Sequence, residues 1–200
     1  MRLSVADIDL PGISDVDGAL ADVASRAGAL AGCQIDHVSL CVESANLHRY
    51  TERIRQRWPA AQCSEYRFGD PDSGMLISAI EFPEAPVNIV LAAPTGAKGH
   101  VAEFLARTGS EGLQHIAFVV TDLRAAMVEL AGQGLNFVGG GQDLESAIVE
   151  VREGDRWLRQ TFTETLSGEF FVELIERNGI SGWHPGNMQS LFSLTEDGRN

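Results

Sequence analysis

Between Ile35 and Val42 apolar residues alternate with polar or small ones: Val38, Leu40 and Val42 point one way, His37, Ser39 and Cys41 the other. That is the period-two signature of a half-buried strand. The stretch from Leu113 to Val120 repeats it, with His115 on the face of Ala117 and Val119. A third strand, 170–175, sets Glu173 inside an otherwise apolar run. Between these strands the hydrophobic period lengthens to that of helices. The pattern predicts helices over 45–57, stopped by Pro59, over 101–106, and over 123–133, closed by Gly134. Further strands are expected at 63–68, 75–82, 87–92, 137–138 and 157–163. Upstream, residues 1–32 read as a loose arm and a short helix over 16–26, with Ser14 or Asp15 as N-cap. A final helix is expected over 185–196.

The order β-α-β-β-β therefore occurs twice, each time with a histidine in its first strand. A duplication of this length outweighs any single motif. The expected fold is α+β: two tandem βαβββ modules, 33–108 and 109–200, forming a half-open barrel around a cleft to which both contribute. His37, His115 and Glu173 are the candidate metal ligands, because two neutral imidazoles and one carboxylate form the protein half of a non-haem Fe(II) site with open positions. The last strand of the first module, around Val87–Leu91, has no carboxylate where the second has Glu173. The duplication thus supplies three ligands rather than four.

Composition narrows the function classes. The 200 residues carry a net charge of −13, which disfavours nucleic acid and anionic membranes as partners. No apolar run is long enough to span a bilayer, and no leader pattern opens the chain. Three cysteines, Cys33, Cys41 and Cys63, form no zinc-type pair and read as buried thiols of a reduced, cytoplasmic protein. Gly139-Gly140-Gly141 lacks the residues of a phosphate loop and reads as a flexible hairpin. The acidic stretch 143–153 reads as a solvated loop and strand edge.

Several blocks resemble the 4-hydroxyphenylpyruvate dioxygenase and 4-hydroxymandelate synthase family of the vicinal-oxygen-chelate superfamily. They are Glu111-Gly112-Leu113-Gln114-His115-Ile116-Ala117-Phe118, Gln160-Thr161-Phe162-Thr163, Phe171-Val172-Glu173-Leu174-Ile175-Glu176-Arg177, and Gly182-Trp183-His184-Pro185-Gly186-Asn187-Met188 with Leu191-Phe192. The resemblance covers roughly residues 33–196. It implies Fe(II) as cofactor and a 2-oxo acid and O2 as substrates, with decarboxylation coupled to hydroxylation of the same molecule. It also implies substrate contacts from Ser78, Gln160, Phe162, Phe171, Asn187 and, less directly, His100. Family members carry a further N-terminal domain, so this chain looks like their catalytic half, and a homodimer exchanging residues 1–32 is compatible with that. The pattern departs at Leu91-Ala92-Ala93-Pro94, where the family has Leu-Asn-Glu-Pro, and at His100, where it has glutamine. Trp183 and Met188 stand where it has phenylalanines. Two alternatives stay open: an extradiol-type ring-cleaving dioxygenase using the same triad with His100 or His184 as acid/base, and a metal-free small-molecule-binding protein.

Overall fold

The computed structural model describes residues 9–30, 32–83, 87–141, 143–166 and 170–180. Four α-helices and eight strands run in the order α1 (Val16–Arg26), β1 (Gln34–Cys41), α2 (Ser44–Arg57), β2 (Gln62–Phe68), β3 (Met75–Glu81), β4 (Asn88–Pro94), α3 (His100–Thr108), β5 (Gly112–Val119), α4 (Leu123–Gly132), β6 (Val149–Glu153), β7 (Arg156–Phe162) and β8 (Phe171–Asn178). The chain divides into two compact units. One holds the described residues up to 18 with 37–115; the other holds 19–36 with the described residues from 116 onward. The fold is mixed α+β, as expected.

In the first unit the strand order is β2-β3-β4-β1. β2, β3 and β4 pair antiparallel, and β1 lies parallel to β4 with His37 opposite Asn88 and Cys41 opposite Ala92. The parallel pairing requires a crossover, which α2 and the β2–β3 hairpin supply. α2 forms because Leu47, Tyr50, Thr51 and Ile54 fall at helical spacing and are buried together. It ends at Trp58, which leaves the helical region (φ −129°, ψ 82°), as a residue before proline favours. Burial of β1 exceeds the half-buried expectation: Val38, Ser39, Leu40 and Cys41 are all at most 1% exposed. A strand covered on both faces still alternates here because its second face carries chemistry rather than solvent-facing polar groups.

The start of α2 is anchored by a single carboxylate. Glu111 accepts hydrogen bonds from the Glu43 amide (2.7 Å), Asn46 Nδ2 (2.8 Å) and Tyr50 Oη (2.6 Å). Desolvation alone would raise this carboxyl, but those donors and the nearby Arg49 hold it below the ordinary 4.5. A depressed folded value adds stability at neutral pH that is lost as pH falls from about 4.5 through the lowered value. Glu111→Gln should therefore cost about 2 kcal/mol at pH 7, the scale of a hydrogen bond to a charged group. In thermal melts from pH 7 to 3 the gap to the parent should close at the acid end; a pH-independent gap would contradict this anchoring.

In the second unit the order is β5-β8-β7-β6, with β6 at the edge. β6, β7 and β8 pair antiparallel. α4 begins where expected, capped by Asp122, whose Oδ1 accepts from the Ala125 amide at 3.0 Å. Past its end Gly134 takes the left-handed conformation (φ 89°). The two units repeat one hydrogen bond: Val42 N donates to the Ala92 carbonyl, and Val120 N donates to the Ile175 carbonyl, both at 2.9 Å. Aligned on that bond, His37 corresponds to His115, and Glu173 corresponds to Val90. The duplication is thus exact at the histidines, and the first unit carries valine in place of the carboxylate.

Several expectations need correction. The segment just before α1 is not loose, since Leu10 and Ile13 are buried, while α1 itself has the expected bounds. The acidic stretch forms a 3-10 turn at Leu144–Ala147 and then β6, which is indeed a strand edge. The hairpin after it turns at Gly154 (φ 63°), not at Gly139–Gly141. The expected strand at 137–138 is reduced to a single bridge, Phe137 with Thr163. Cys33 and Cys63 are only partly buried; Cys41 alone is buried among the three. The helix expected over 185–196, with His184 and Asn187, lies outside the described residues. No helix among the described residues is long and apolar enough to cross a membrane.

Candidate metal centre

Within the first unit, His37 on β1 and His115 on β5 direct their ring nitrogens at one another. Their Nε2 atoms are 3.1 Å apart, and the rings stand at 79° with centroids 5.3 Å apart. His37 is 3% exposed. On its other side His115 places Nδ1 3.1 Å from Gln114 Oε1, which also accepts from Ser39 Oγ at 3.5 Å. An Nδ1–H donated to that amide leaves the lone pair of His115 on Nε2, the tautomer a metal requires. Two imidazole ligands at right angles on one ion, with bonds of about 2.1 Å, hold their nitrogens about 3 Å apart. The observed spacing suits that arrangement, so the donor set fits a metal ion.

Within the second unit, Glu173 lies in the middle of β8, 3% exposed, between the fully buried Val172 and Leu174. Register sets it opposite Phe162 on β7, with Gln160 two positions along on the same face. Phe171 shares that face and meets Phe162 edge-on, ring centroids 5.7 Å apart. Gln160, Phe162, Phe171 and Glu173 thus lie together on one face of the β7–β8 pair. An ionised carboxylate on so apolar a face needs a cation or strong donors to offset its desolvation. Arg177, read from sequence as lying beyond the strand, is within β8, and its Nη2 donates to both carboxylate oxygens of Asp36 at 3.1 Å.

Ser78 is not on the metal-facing side. Thr51 Oγ1 of α2 donates to the Leu47 carbonyl at 3.0 Å and accepts from the Ser78 hydroxyl at 3.0 Å. Register explains the misplacement: Ile77 pairs with Ala92 and Ala79 with Val90, and these share the face of His37, whereas Ser78 pairs with Leu91 on the helix side. A one-residue slip along a strand exchanges faces. Two positions escaped the sequence reading. Ile77 escaped through that slip, although its parity with Ala79 held the signal. Gln114 escaped because nothing in its spacing singles it out, yet a buried amide beside a candidate ligand histidine is placed to position that ring. His100 opens α3 and is partly buried. Cys41 shares the His37 face, and burial pushes its thiol well up.

Residues 36–149 match the model of the Glyoxalase/Bleomycin resistance protein/Dioxygenase superfamily. Among curated proteins, a hemolysin of Vibrio vulnificus is 27% identical over 191 residues, covering 82% of this chain and 52% of that protein. A 4-hydroxyphenylpyruvate dioxygenase of Pseudomonas aeruginosa is 27% identical over 190 residues, with the same coverage of 82% and 52%. The chain spans about half the length of the curated relatives it matches. Among solved structures, a mutant 4-hydroxymandelate synthase of Streptomyces coelicolor superposes with a TM-score of 0.73 at 24% identity, over 84% of this chain and 55% of that one. At that identity the likeness is one of fold.

Proposed function

Because the chain belongs to the Glyoxalase/Bleomycin resistance protein/Dioxygenase superfamily, we propose that it is an Fe(II)-dependent dioxygenase acting on a 2-oxo acid, with His37, His115 and Glu173 as metal ligands. The observation that supports this most is the pair of Nε2 atoms 3.1 Å apart, one of them set by Gln114. Each of the three residues offers one ligand atom, and a set of two imidazoles and one carboxylate suits ferrous iron with open positions. Bound there, the metal supplies a chelation site for the keto acid and activation of O2, coupling decarboxylation to hydroxylation of the same substrate.

The chain's own residues supply geometry and exclusion of water. Gln114 holds the His115 ring in its ligating tautomer. Phe162 and Phe171 present apolar edges beside Glu173 and keep its surroundings dry. The Gln160 amide shares the Glu173 face and suits the polar, keto-acid end of the substrate. His100, at the start of α3, and Asn187 are further candidate substrate contacts. Three free thiols suit a reducing compartment such as the cytoplasm.

The reading is tested by anaerobic loading with Fe(II) and titration with 2-oxo acids. The expected result is one equivalent of iron, a visible charge-transfer band with a keto acid, and oxygen uptake with CO2 release on aeration. Iron without such a band for any keto acid would overturn the substrate class, and absence of iron binding would leave a small-molecule-binding protein. Gln114→Leu, which removes the acceptor for His115 Nδ1–H, should weaken iron affinity about 10- to 100-fold while the chain stays folded. Unchanged affinity in equilibrium dialysis would count against the positioning role.

A further inference from the structure

We propose that the first unit carries a second ligand site, at the C-terminal end of α2, and that it takes a small aromatic carboxylate. The proposal does not rest on the metal reading above. A cleft of about 460 Å³ opens between the end of α2 and the segment that precedes α1. The segment contributes Asp9 and Leu10, and the helix end contributes Arg53, Ile54, Arg57 and Trp58. All of them belong to the first unit. The volume lies in the range of small-molecule sites.

The floor of the cleft is apolar. Leu10 is 6% exposed and Ile54 2%. The Trp58 indole beside them is half-buried, and Phe82 meets it edge-on with ring centroids 5.9 Å apart. A ring held in this way, next to two aliphatic side chains, suits a flat apolar group, because little of the wall has to be ordered on binding.

The charge of the cleft is positive. α2 carries Arg49, Arg53, Arg55 and Arg57 against one carboxylate, Glu52, although the net charge of the chain is −13. Arg53 and Arg57 are one helical turn apart, and both line the cleft. Arg53 pairs with Asp9, whose side chain is 91% exposed; so exposed a pair contributes little and exchanges readily. Arg57 stands over the Trp58 ring, 5.7 Å from its centroid, and pairs with no carboxylate among the described residues. Its full charge exceeds the roughly half negative charge of the helix end. A carboxylate above the apolar floor takes the Arg57 fork in a bidentate pair, with the exposed Gln56 amide as a further donor. One flat apolar ring joined to one carboxylate is the class that satisfies both parts of the cleft.

The test titrates the full chain, kept free of metal so that chelation plays no part, and follows the NMR signal of the Trp58 indole N–H, which Trp58→Phe identifies. Phenylacetate should shift that signal saturably, with a dissociation constant of about 1 mM or tighter. Acetate and 2-phenylethanol, each lacking one half of the ligand, should bind at least about 10-fold more weakly. Arg57→Gln, a change at the surface, should weaken phenylacetate by about 10-fold or more, and Arg57→Lys should recover part of the loss. Asp9→Asn should tighten binding about two- to five-fold by releasing Arg53 to the anion. No saturable shift up to about 10 mM, or an unchanged constant in Arg57→Gln, would overturn the site. The alcohol binding as well as the acid, or weaker binding in Asp9→Asn, would overturn the anionic half of the assignment, and acetate binding as well as phenylacetate would overturn the aromatic half.

Discussion

Glu173→Gln should remove the proposed stoichiometric Fe(II) binding and, with it, the oxygen uptake proposed to depend on that iron. A neutral amide keeps the size of the side chain but withdraws the one anionic ligand of the proposed set, and hard ferrous iron binds an amide oxygen far more weakly than a carboxylate. The loss should exceed 100-fold in affinity, because substitutions one shell further out already cost 10- to 100-fold. The variant should also fold well. In the parent without metal, the carboxyl group shares a face with Phe162, Phe171 and Ile175, where a neutral amide is easier to bury than a charged group. The combination of unchanged or raised melting temperature with lost iron separates a ligand from a structural acid. Retained stoichiometric iron would remove Glu173 from the site.

Gly12→Ala should destabilise the fold strongly for the addition of a single methyl group. Gly12 has φ 75°, where a side chain is strained, and a Cβ built there falls 2.4 Å from the Leu113 amide nitrogen and 2.5 Å from Gly112 Cα. Both obstacles are backbone atoms at the start of β5, two and three residues before His115, so no side-chain rotation relieves the contact. The left-handed conformation alone costs about 1–3 kcal/mol in a non-glycine residue. For a chain of this size that corresponds to a melting temperature lower by roughly 2–12 °C. The residues that pack around Gly12, Leu10 and Ile13, would be displaced. Iron affinity should fall as well, since β5 carries His115. A melting temperature within 1 °C of the parent would contradict the close approach.

The contrast between these two positions shows what was legible in the sequence. Strand parity and helix spacing were enough to place His37, His115 and Glu173 on the right elements, because each lies in an alternating or apolar run with clear ends. They also located α1, α2 and α4 to within a residue or two, since Pro59, Asp122 and Gly134 mark their boundaries chemically. Parity fails where a strand has polar residues that face a helix: the Ser78 hydroxyl bonds Thr51, a partner visible only once α2 is packed on β3. It also fails for β6, whose charged residues pair within the strand and across the hairpin: Glu150 with Arg152 and Arg159, and Glu153 with Arg156. Gly12 was opaque for a different reason, because its requirement comes from a backbone a hundred residues away in sequence. Gln114 lay in plain view beside His115, but its role depends on a ring orientation that no spacing encodes.

The inequality between the two units bears directly on the chemistry. A metal held by two copies of the same donor pair would have four protein ligands and little room for a chelating substrate. Val90 in place of a second carboxylate leaves one side of the proposed ion open, and the apolar residues around Val90 would exclude water from it. The account therefore stands or falls on the ligand set.

The most direct measurement is an anomalous-difference map from a crystal of the Fe(II)-loaded protein grown without oxygen. The account predicts a single strong peak about 2.0–2.2 Å from His37 Nε2, His115 Nε2 and a Glu173 carboxylate oxygen, with the remaining positions filled by solvent or keto acid. A peak at any other group of side chains, or one that touches the two histidines but not Glu173, would contradict it.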